Sequence, residues 1–238
     1  MFHPIRSRDG SLTLYSHKYR QTFGSTAGAR TEALWVYLQG SGIEQRLRES
    51  QQSAVLEVGL GTGLNFLVTA ESACRHRVTV DYIALEADLA SLLFWNSEAV
   101  RSCDSMSRLL CYRPLANWWA LTVKKFFKAT PGTILRFNFP PFIRLEVRVG
   151  EATQTAWPER TFDAIYHDAF SPQMNPELWT TTFLRRLADS LAVGGSLVSY
   201  CVQGEVRRRL QATGLRVQRR PGPPGGKREV LRATKPFI

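Results

Sequence analysis

Short apolar runs alternate along the chain with longer segments that repeat apolar residues at helical spacing. Four runs are strand candidates by their length and their branched side chains: 55–58, 80–85, 144–149 and 162–167. Three more strand candidates follow nearer the C-terminus: 196–202, 215–218 and 229–233. Strands that alternate with helices form a mostly parallel sheet covered on both faces. The pattern therefore predicts an α/β fold with a seven-stranded, mostly parallel sheet and helices on both faces.

Two segments do not fit this alternation. Residues 1–50 precede the first strand as an N-terminal extension, and residues 100–143 form an insertion that we expect on the substrate side. The insertion carries Trp118-Trp119 and a run of lysines and phenylalanines at 124–128. Such residues stack on bases in RNA-binding proteins, but they also pack helical caps against a domain. We predict one domain, 1–238, that includes both segments.

Composition argues against several classes of protein. No apolar run reaches membrane-spanning length, and the N-terminus lacks the apolar core of a signal peptide. The four cysteines are scattered, without the spacing of cysteine or histidine pairs that holds zinc. We therefore expect a reduced, cytoplasmic protein that binds neither a membrane nor a metal ion.

Positive charge is concentrated near the C-terminus. Lys and Arg number 31 against 20 Asp and Glu, a formal net charge of +11, and residues 204–238 hold ten basic residues but only two acidic ones. This concentration suits a polyanion such as RNA or DNA, although a solvated basic face that only aids solubility has the same composition. Four of these residues are predicted to contact RNA: Arg207, Arg208, Lys227 and Arg228.

A glycine-rich turn, Glu-Val-Gly-Leu-Gly-Thr-Gly-Leu-Asn at 57–65, joins the first strand to a helix. Glycine permits a tight turn without a Cβ in the way of a ligand, and the helix N-terminus attracts negative charge. Leu64 stands where the dinucleotide fingerprint has its last glycine, so the turn instead resembles motif I of class I S-adenosyl-L-methionine (AdoMet) methyltransferases. A plain turn is the alternative. The residues predicted to bind the cofactor here are Glu57, Gly59, Gly61, Gly63 and Asn65.

Acidic residues follow the next strands, where open α/β sheets bind their ligands. Glu86 ends the second strand and can accept hydrogen bonds from both ribose hydroxyls of a nucleoside. Gly150 and Glu151 follow the third strand and are also predicted to bind the cofactor. The alternative for such acids is simple solvation at a strand end.

Asp168 follows the fourth strand, in His-Asp-Ala-Phe-Ser-Pro. This position predicts a carboxylate in the cleft, beside both the cofactor and a reacting amine. Methyl transfer from a sulfonium needs an unprotonated amine held in line with the bond that breaks, and a carboxylate can orient that amine and take its proton. The alternative is a turn aspartate that caps the next helix.

A closer resemblance rests on three segments. These are 60–67, Leu-Gly-Thr-Gly-Leu-Asn-Phe-Leu; 168–179, Asp-Ala-Phe-Ser-Pro-x-x-Asn-Pro-Glu-Leu-Trp; and 225–229, Gly-Gly-Lys-Arg-Glu. They are similar to the methyltransferase part of the MnmC family of bifunctional tRNA-modifying enzymes, and Tyr15 through Glu32 is a looser match. The similarity covers nearly the whole chain.

This resemblance implies a Rossmann-like class I fold, AdoMet as the donor and tRNA as the partner. It implies N-methylation of the 5-aminomethyl group of a wobble uridine, 5-aminomethyl-2-thiouridine. Asp168 would face the substrate amine, Phe170 would wall the uracil pocket, and Tyr15 would contact the RNA.

The chain departs from the family pattern at several positions. Ala169 and Ser171 replace the usual glycine and alanine, Glu151 replaces an aspartate, and Gln21 replaces an acid. The FAD-dependent oxidase part of the family is not expected in this chain. Two alternatives therefore stay open: an AdoMet-type transferase for a small amine, similar to polyamine synthases, and an RNA-binding relative without catalysis.

Overall fold

An eight-stranded sheet forms the centre of the protein, described here from a computed structural model that covers residues 2–96, 112–157 and 162–237. Its strands are β4 (Ser53–Val58), β5 (Val80–Glu86), β6 (Ile134–Phe139), β7 (Ile143–Val149), β8 (Phe162–His167), β9 (Leu191–Ser199), β10 (Arg216–Pro221) and β11 (Glu229–Thr234). They lie in the order β10-β11-β9-β8-β4-β5-β7-β6. The five strands β7, β5, β4, β8 and β9 are parallel, and the outer strands are antiparallel. The predicted α/β sheet is confirmed.

The prediction of seven strands was one strand short. The extra strand is β6, which pairs antiparallel with β7 from Ile134 opposite Arg148 to Phe139 opposite Ile143. It belongs to the segment that the sequence pattern assigned to the insertion. An edge strand is covered by little of the protein, and most side chains of β6 are exposed or only partly buried. Four of its six residues are nevertheless apolar, so the run Ile-Leu-Arg-Phe-Asn-Phe at 134–139 could have indicated a strand.

Helices cover both faces of the sheet, because successive strand residues point to opposite sides. Tyr82 and Ala84 of β5 pack into one apolar cluster, and Ile83 and Leu85 pack into the other. The α-helices are α1 (Ala29–Glu32), α2 (Ile43–Arg48), α3 (Leu64–His76), α4 (Arg113–Thr122), α5 (Thr181–Ser190) and α6 (Gly204–Ala212). Shorter 3-10 helices occupy Leu89–Asn96, Val123–Lys128 and Pro176–Trp179.

The N-terminal extension forms a small unit of its own against the main sheet. Its strands β1 (Phe2–Arg6), β2 (Leu12–Ser16) and β3 (Gln21–Thr22) make an antiparallel sheet. Helix α1 then continues into a π-helical stretch, Ala33–Gln39, whose Tyr37 is buried. The extension thereby brings side chains to the carboxyl end of the main sheet.

The described part of the insertion packs into the core. Trp119 is fully buried, and its ring centroid lies 5.2 Å from that of Phe66 on α3. Trp118 donates a hydrogen bond from Nε1 to the Asn138 carbonyl, 3.0 Å away, and its ring meets Phe139 edge-on. Packing therefore accounts for these two tryptophans. Residues 97–111 of the chain lie outside the described residues.

Candidate active site

A cavity of about 540 Å³ lies at the carboxyl ends of β4, β5 and β8, between the main sheet and the N-terminal extension. Ten of the residues singled out from the sequence line it: Tyr15, Gly59, Gly61, Asn65, Glu86, Gly150, Glu151, Asp168, Phe170 and Lys227. No described residue of the insertion does so. The volume is that of an ordinary cofactor or small-molecule site.

The glycine turn follows β4 with a left-handed backbone at all three glycines. Gly59 has φ +88°, and a Cβ there would lie 2.9 Å from the carbonyl oxygen of Asp168. Gly61 has φ +54° and faces the ring of Phe23, while Gly63 has φ +78° and is packed under Trp119. Gly59 and Gly61 therefore keep the turn close to the cavity wall. Gly63 begins α3 from the core side and does not line the cavity.

Glu86 stands at the end of β5 with its carboxylate held by backbone donors. The N–H groups of Gly61 and Asp88 each donate to it at 2.8 Å. Burial raises the pKa of this carboxyl to about 7 despite those two bonds. The N–H of Gly150 bonds the Glu86 carbonyl at 2.9 Å, which places Glu151 on the same side of the cavity.

Asp168 is held by two neutral donors. Tyr37 donates its hydroxyl proton to Oδ1, and Asn65 Nδ2 donates to Oδ2 at 2.8 Å. Burial, and next the charge of Glu32, raise the pKa of Asp168 well above its usual range. Burial likewise raises the pKa of Tyr37, so the phenol stays protonated and can only serve as the donor to a carboxylate. Asp168 is thereby fixed in orientation and poised to take a proton.

Glu57 lies behind the cavity rather than in its wall. It is fully buried, accepting one bond from Asn65 Nδ2 and one from the Tyr82 hydroxyl, both at 2.9 Å. Burial and the charge of Asp168 raise the pKa of Glu57 well above its usual range. The Asn65 amide thus bridges the two carboxyl groups. The geometry gives Glu57 a place in the support of Asp168, not the cofactor contact that its position in the turn predicted.

Aromatic rings form one wall of the cavity. Phe170 stacks on Tyr19, with ring centroids 4.2 Å apart, and meets Phe23 edge-on at 5.1 Å. Trp179 fixes the Phe170 backbone by donating to its carbonyl at 2.8 Å. Tyr15 also lines the cavity, and its ring meets the His17 ring edge-on, with the two ring centroids 5.3 Å apart. Such a wall suits a flat ring.

The predicted basic residues separate into two groups. Lys227 lines the cavity, with Nζ 4.1 Å from the centroid of the Tyr200 ring, and Arg228 follows it. Arg207 and Arg208 lie on α6 and do not line the cavity. Arg208 is also paired with Glu205 at 2.7 Å.

Several lining residues were missed by the sequence reasoning, among them Glu32, Tyr37 and Tyr200. The first two belong to the N-terminal extension, and only the long-range packing of that extension brings them to Asp168. The looser family match through Glu32 was the one signal that pointed there. Tyr200 directly follows β9, and its place at a strand end could have singled it out.

These features define the class of protein. The site combines a glycine turn after the first parallel strand with an acid at the end of the second and an acid at the end of the fourth. This combination is typical of a nucleoside-binding site in a class I fold. A family model of S-adenosyl-L-methionine-dependent methyltransferases matches residues 113–236, and the chain belongs to this family. AdoMet is its cofactor, and the open turn beside Gly59 and the carboxylate of Glu86 fit that molecule.

The relatives of this chain share the name of one tRNA-modifying protein, MnmC. The chain is 30% identical to the tRNA 5-methylaminomethyl-2-thiouridine biosynthesis bifunctional protein MnmC of Cupriavidus metallidurans, over 95% of this chain and 33% of that protein. It is 28% identical to the protein of the same name from Caulobacter vibrioides, over 99% of this chain and 38% of that one. The chain therefore spans about a third of the length of these relatives.

Solved structures share the fold, among them two that cover the whole of this chain. MnmC2 of Aquifex aeolicus superposes with a TM-score of 0.76 at 24% identity, covering 100% of this chain and 73% of that one. Spermidine synthase of Thermotoga maritima gives 0.56 at 15% identity, covering 100% and 70%. The predicted Rossmann-like class I fold is confirmed.

In the ranges that the structure describes, no helix is long and apolar enough to cross a membrane. Within the same ranges, no three His, Cys, Asp or Glu side chains are grouped to hold a metal ion.

Proposed function

We propose that this chain N-methylates the 5-aminomethyl group of a wobble uridine in tRNA. The names of the relatives motivate the substrate, and one observation carries the chemistry: Asp168 borders both the glycine turn and the aromatic wall. A cofactor on the first side and a flat base on the second would meet at this carboxylate.

AdoMet, when bound, supplies an electrophilic methyl group on a sulfonium. The chain's own residues hold and align the partners. Glu86 faces the cavity from the end of β5 and can accept the two ribose hydroxyls, because a carboxylate offers more lone pairs than its two backbone donors use. The turn at Gly59 and Gly61 leaves room for close approach of the ligand.

Asp168 prepares the amine. An alkylamine is mostly protonated near neutral pH, and only the free base has the lone pair that forms the new N–C bond. A carboxyl with a raised pKa is a better proton acceptor than an ordinary aspartate. Tyr37 and Asn65 fix the direction in which Asp168 presents its oxygens. The proton therefore passes from the amine nitrogen to Asp168 before or during the transfer.

Recognition of the base and of the RNA falls to other groups. Phe170, stacked on Tyr19, offers a face for the uracil ring. Lys227 brings positive charge to the same cavity, where it lowers the pKa of Asp168 as a secondary influence. The basic C-terminal region supplies a further charge of the sign that RNA requires.

The test is to incubate the protein with labelled AdoMet and bulk tRNA from cells that lack this gene. Digestion to nucleosides and mass spectrometry should show the label on 5-methylaminomethyluridine or its 2-thio form. Asp168→Asn is the matched control, because it keeps the shape and removes the base. Label on another nucleoside, or none on tRNA, would contradict the proposal.

A small-amine transferase is the second candidate, favoured by the carboxyl groups of Glu32, Glu151 and Asp168 around the cavity. Acidic walls attract cationic amines, as polyamine substrates are. Methylation of putrescine or spermidine, but not of tRNA, would favour this candidate. RNA binding without methylation of any acceptor would instead identify an inactive relative.

A further inference from the structure

A second, smaller pocket of about 360 Å³ adjoins the cavity. The two share Ser171, Tyr200 and Lys227 in their walls. The remaining lining comes from residues after β9 and from the start of β11: Cys201, Val202, Gln203, Arg228 and Glu229. Because the walls are shared, a ligand that fills the cavity can continue into this side pocket without crossing the protein interior.

The side pocket is positively charged. Lys227 and Arg228 are both exposed at its rim, at the base of the hairpin that joins β10 to β11. Lys227 is held over the Tyr200 ring, and the Arg228 side chain forms no ion pair with any residue in the described ranges. The lining also contains one acid, Glu229, whose carboxylate forms an ion pair with Arg219 at 3.0 Å. Two cations therefore face the pocket with one neutralised acid.

We propose that the side pocket binds a backbone phosphate next to the target uridine. This inference rests on the proposed function and names the part of the RNA that these residues take. A base in the cavity must leave its sugar-phosphate chain at the opening, and the proposal puts one of its two flanking phosphates beside Tyr200, in the wall that the two pockets share. Arg228 provides a planar fork that matches phosphate oxygens, and Lys227 provides a point charge.

A double-mutant cycle tests this proposal. The substrate is an anticodon stem–loop that carries 5-aminomethyluridine, with a neutral methylphosphonate replacing either the 5′ or the 3′ flanking phosphate. In the wild type, one of the two replacements should raise KM roughly tenfold, because it removes a charge-assisted contact. In Lys227→Ala/Arg228→Ala the same replacement should change KM less than about twofold, because its partner is already gone.

Arg220→Ala is the matched control. It removes one positive charge from the same hairpin, at an exposed position outside the pocket lining. Its response to the methylphosphonate should equal that of the wild type. The affinity of each variant for AdoMet, measured by calorimetry, shows whether that variant is folded.

The outcomes separate the two proposals. Equal methylphosphonate penalties in the wild type and the pocket variant would overturn the phosphate site while methylation itself continues. The phosphate site would also be overturned if Arg220→Ala reduced the methylphosphonate penalty as the pocket variant does. The loss of any positive charge from the hairpin would then explain the effect. Failure of the wild type to methylate any tRNA would refute the proposed function instead.

Discussion

Tyr37→Phe is the sharpest perturbation of the site, because it removes a single hydroxyl group. The ring is buried, with about 1% of its surface exposed, so phenylalanine fills the same space. The hydroxyl donates to Asp168 Oδ1, and Asn65 keeps the other oxygen in place. The substitution therefore changes the stability of the Asp168 carboxylate and little else.

The magnitude follows from the charge on the acceptor. A hydrogen bond to a charged group contributes about 1.5–3 kcal/mol, and about 1.4 kcal/mol corresponds to one pKa unit. Loss of the bond should therefore raise the pKa of Asp168 further. Asp168 acts as a base, so activity rises with pH as it loses its proton. Below that pKa the variant should be about ten- to a hundredfold slower, and above it the rates should converge.

The assay is the pH profile of kcat for methyl transfer, with AdoMet affinity measured separately. Tyr166→Phe is the control, since it removes another buried hydroxyl, bonded to Thr69 at 3.3 Å. Its acidic limb should match the wild type. An unshifted acidic limb in Tyr37→Phe would refute the assignment of that limb to Asp168, and weakened AdoMet binding would place Tyr37 in the cofactor site.

Other predictions follow from the same geometry. Because the pKa of Glu86 is about 7 and the ionised form accepts the ribose hydroxyls, AdoMet affinity by calorimetry should fall as pH drops below 7, and Glu86→Gln should flatten this dependence. Gly59→Ala should lower the melting temperature and abolish AdoMet binding, since its φ is +88° and its Cβ would meet the Asp168 backbone. Arg208→Ala should leave the melting temperature near wild type, whereas Arg209→Ala should lower it, because Arg209 also donates to the Trp179 carbonyl at 2.8 Å. Affinity for tRNA in a filter-binding assay should fall steeply with added salt, and a flat response would remove the RNA partner.

The sequence predicted the central strands and the positions of their terminal acids well. The reason is local: β4, β5 and β8 are buried on both faces, so each contains an apolar run, and in β5 and β8 that run ends in a polar residue. Glu86 and Asp168 line the cavity because strand ends are fixed by topology. Their roles as binding and catalytic groups stay predictions.

The remaining parts of the site depend on contacts that no local pattern encodes. Tyr37 meets Asp168 across 131 positions of sequence, through a π-helical stretch with no motif of its own. Glu57 occupies a motif position, yet Tyr82 of the neighbouring strand draws its carboxylate into the core. Only the three-dimensional packing distinguishes a residue that faces the cavity from a residue that supports it from behind.

The distribution of charge explains how one chain could serve a polyanion and an amine together. The cavity wall carries Glu32, Glu151 and Asp168, while Lys227 and Arg228 lie in the adjoining side pocket. A phosphate is repelled by the acids and held by the side pocket, whereas an ammonium group is drawn inward by the same field. Under the proposed function, the aminomethyl base therefore enters the cavity and its backbone stays outside. The raised pKa of Asp168 then lets the carboxyl that attracts the ammonium group also take its proton.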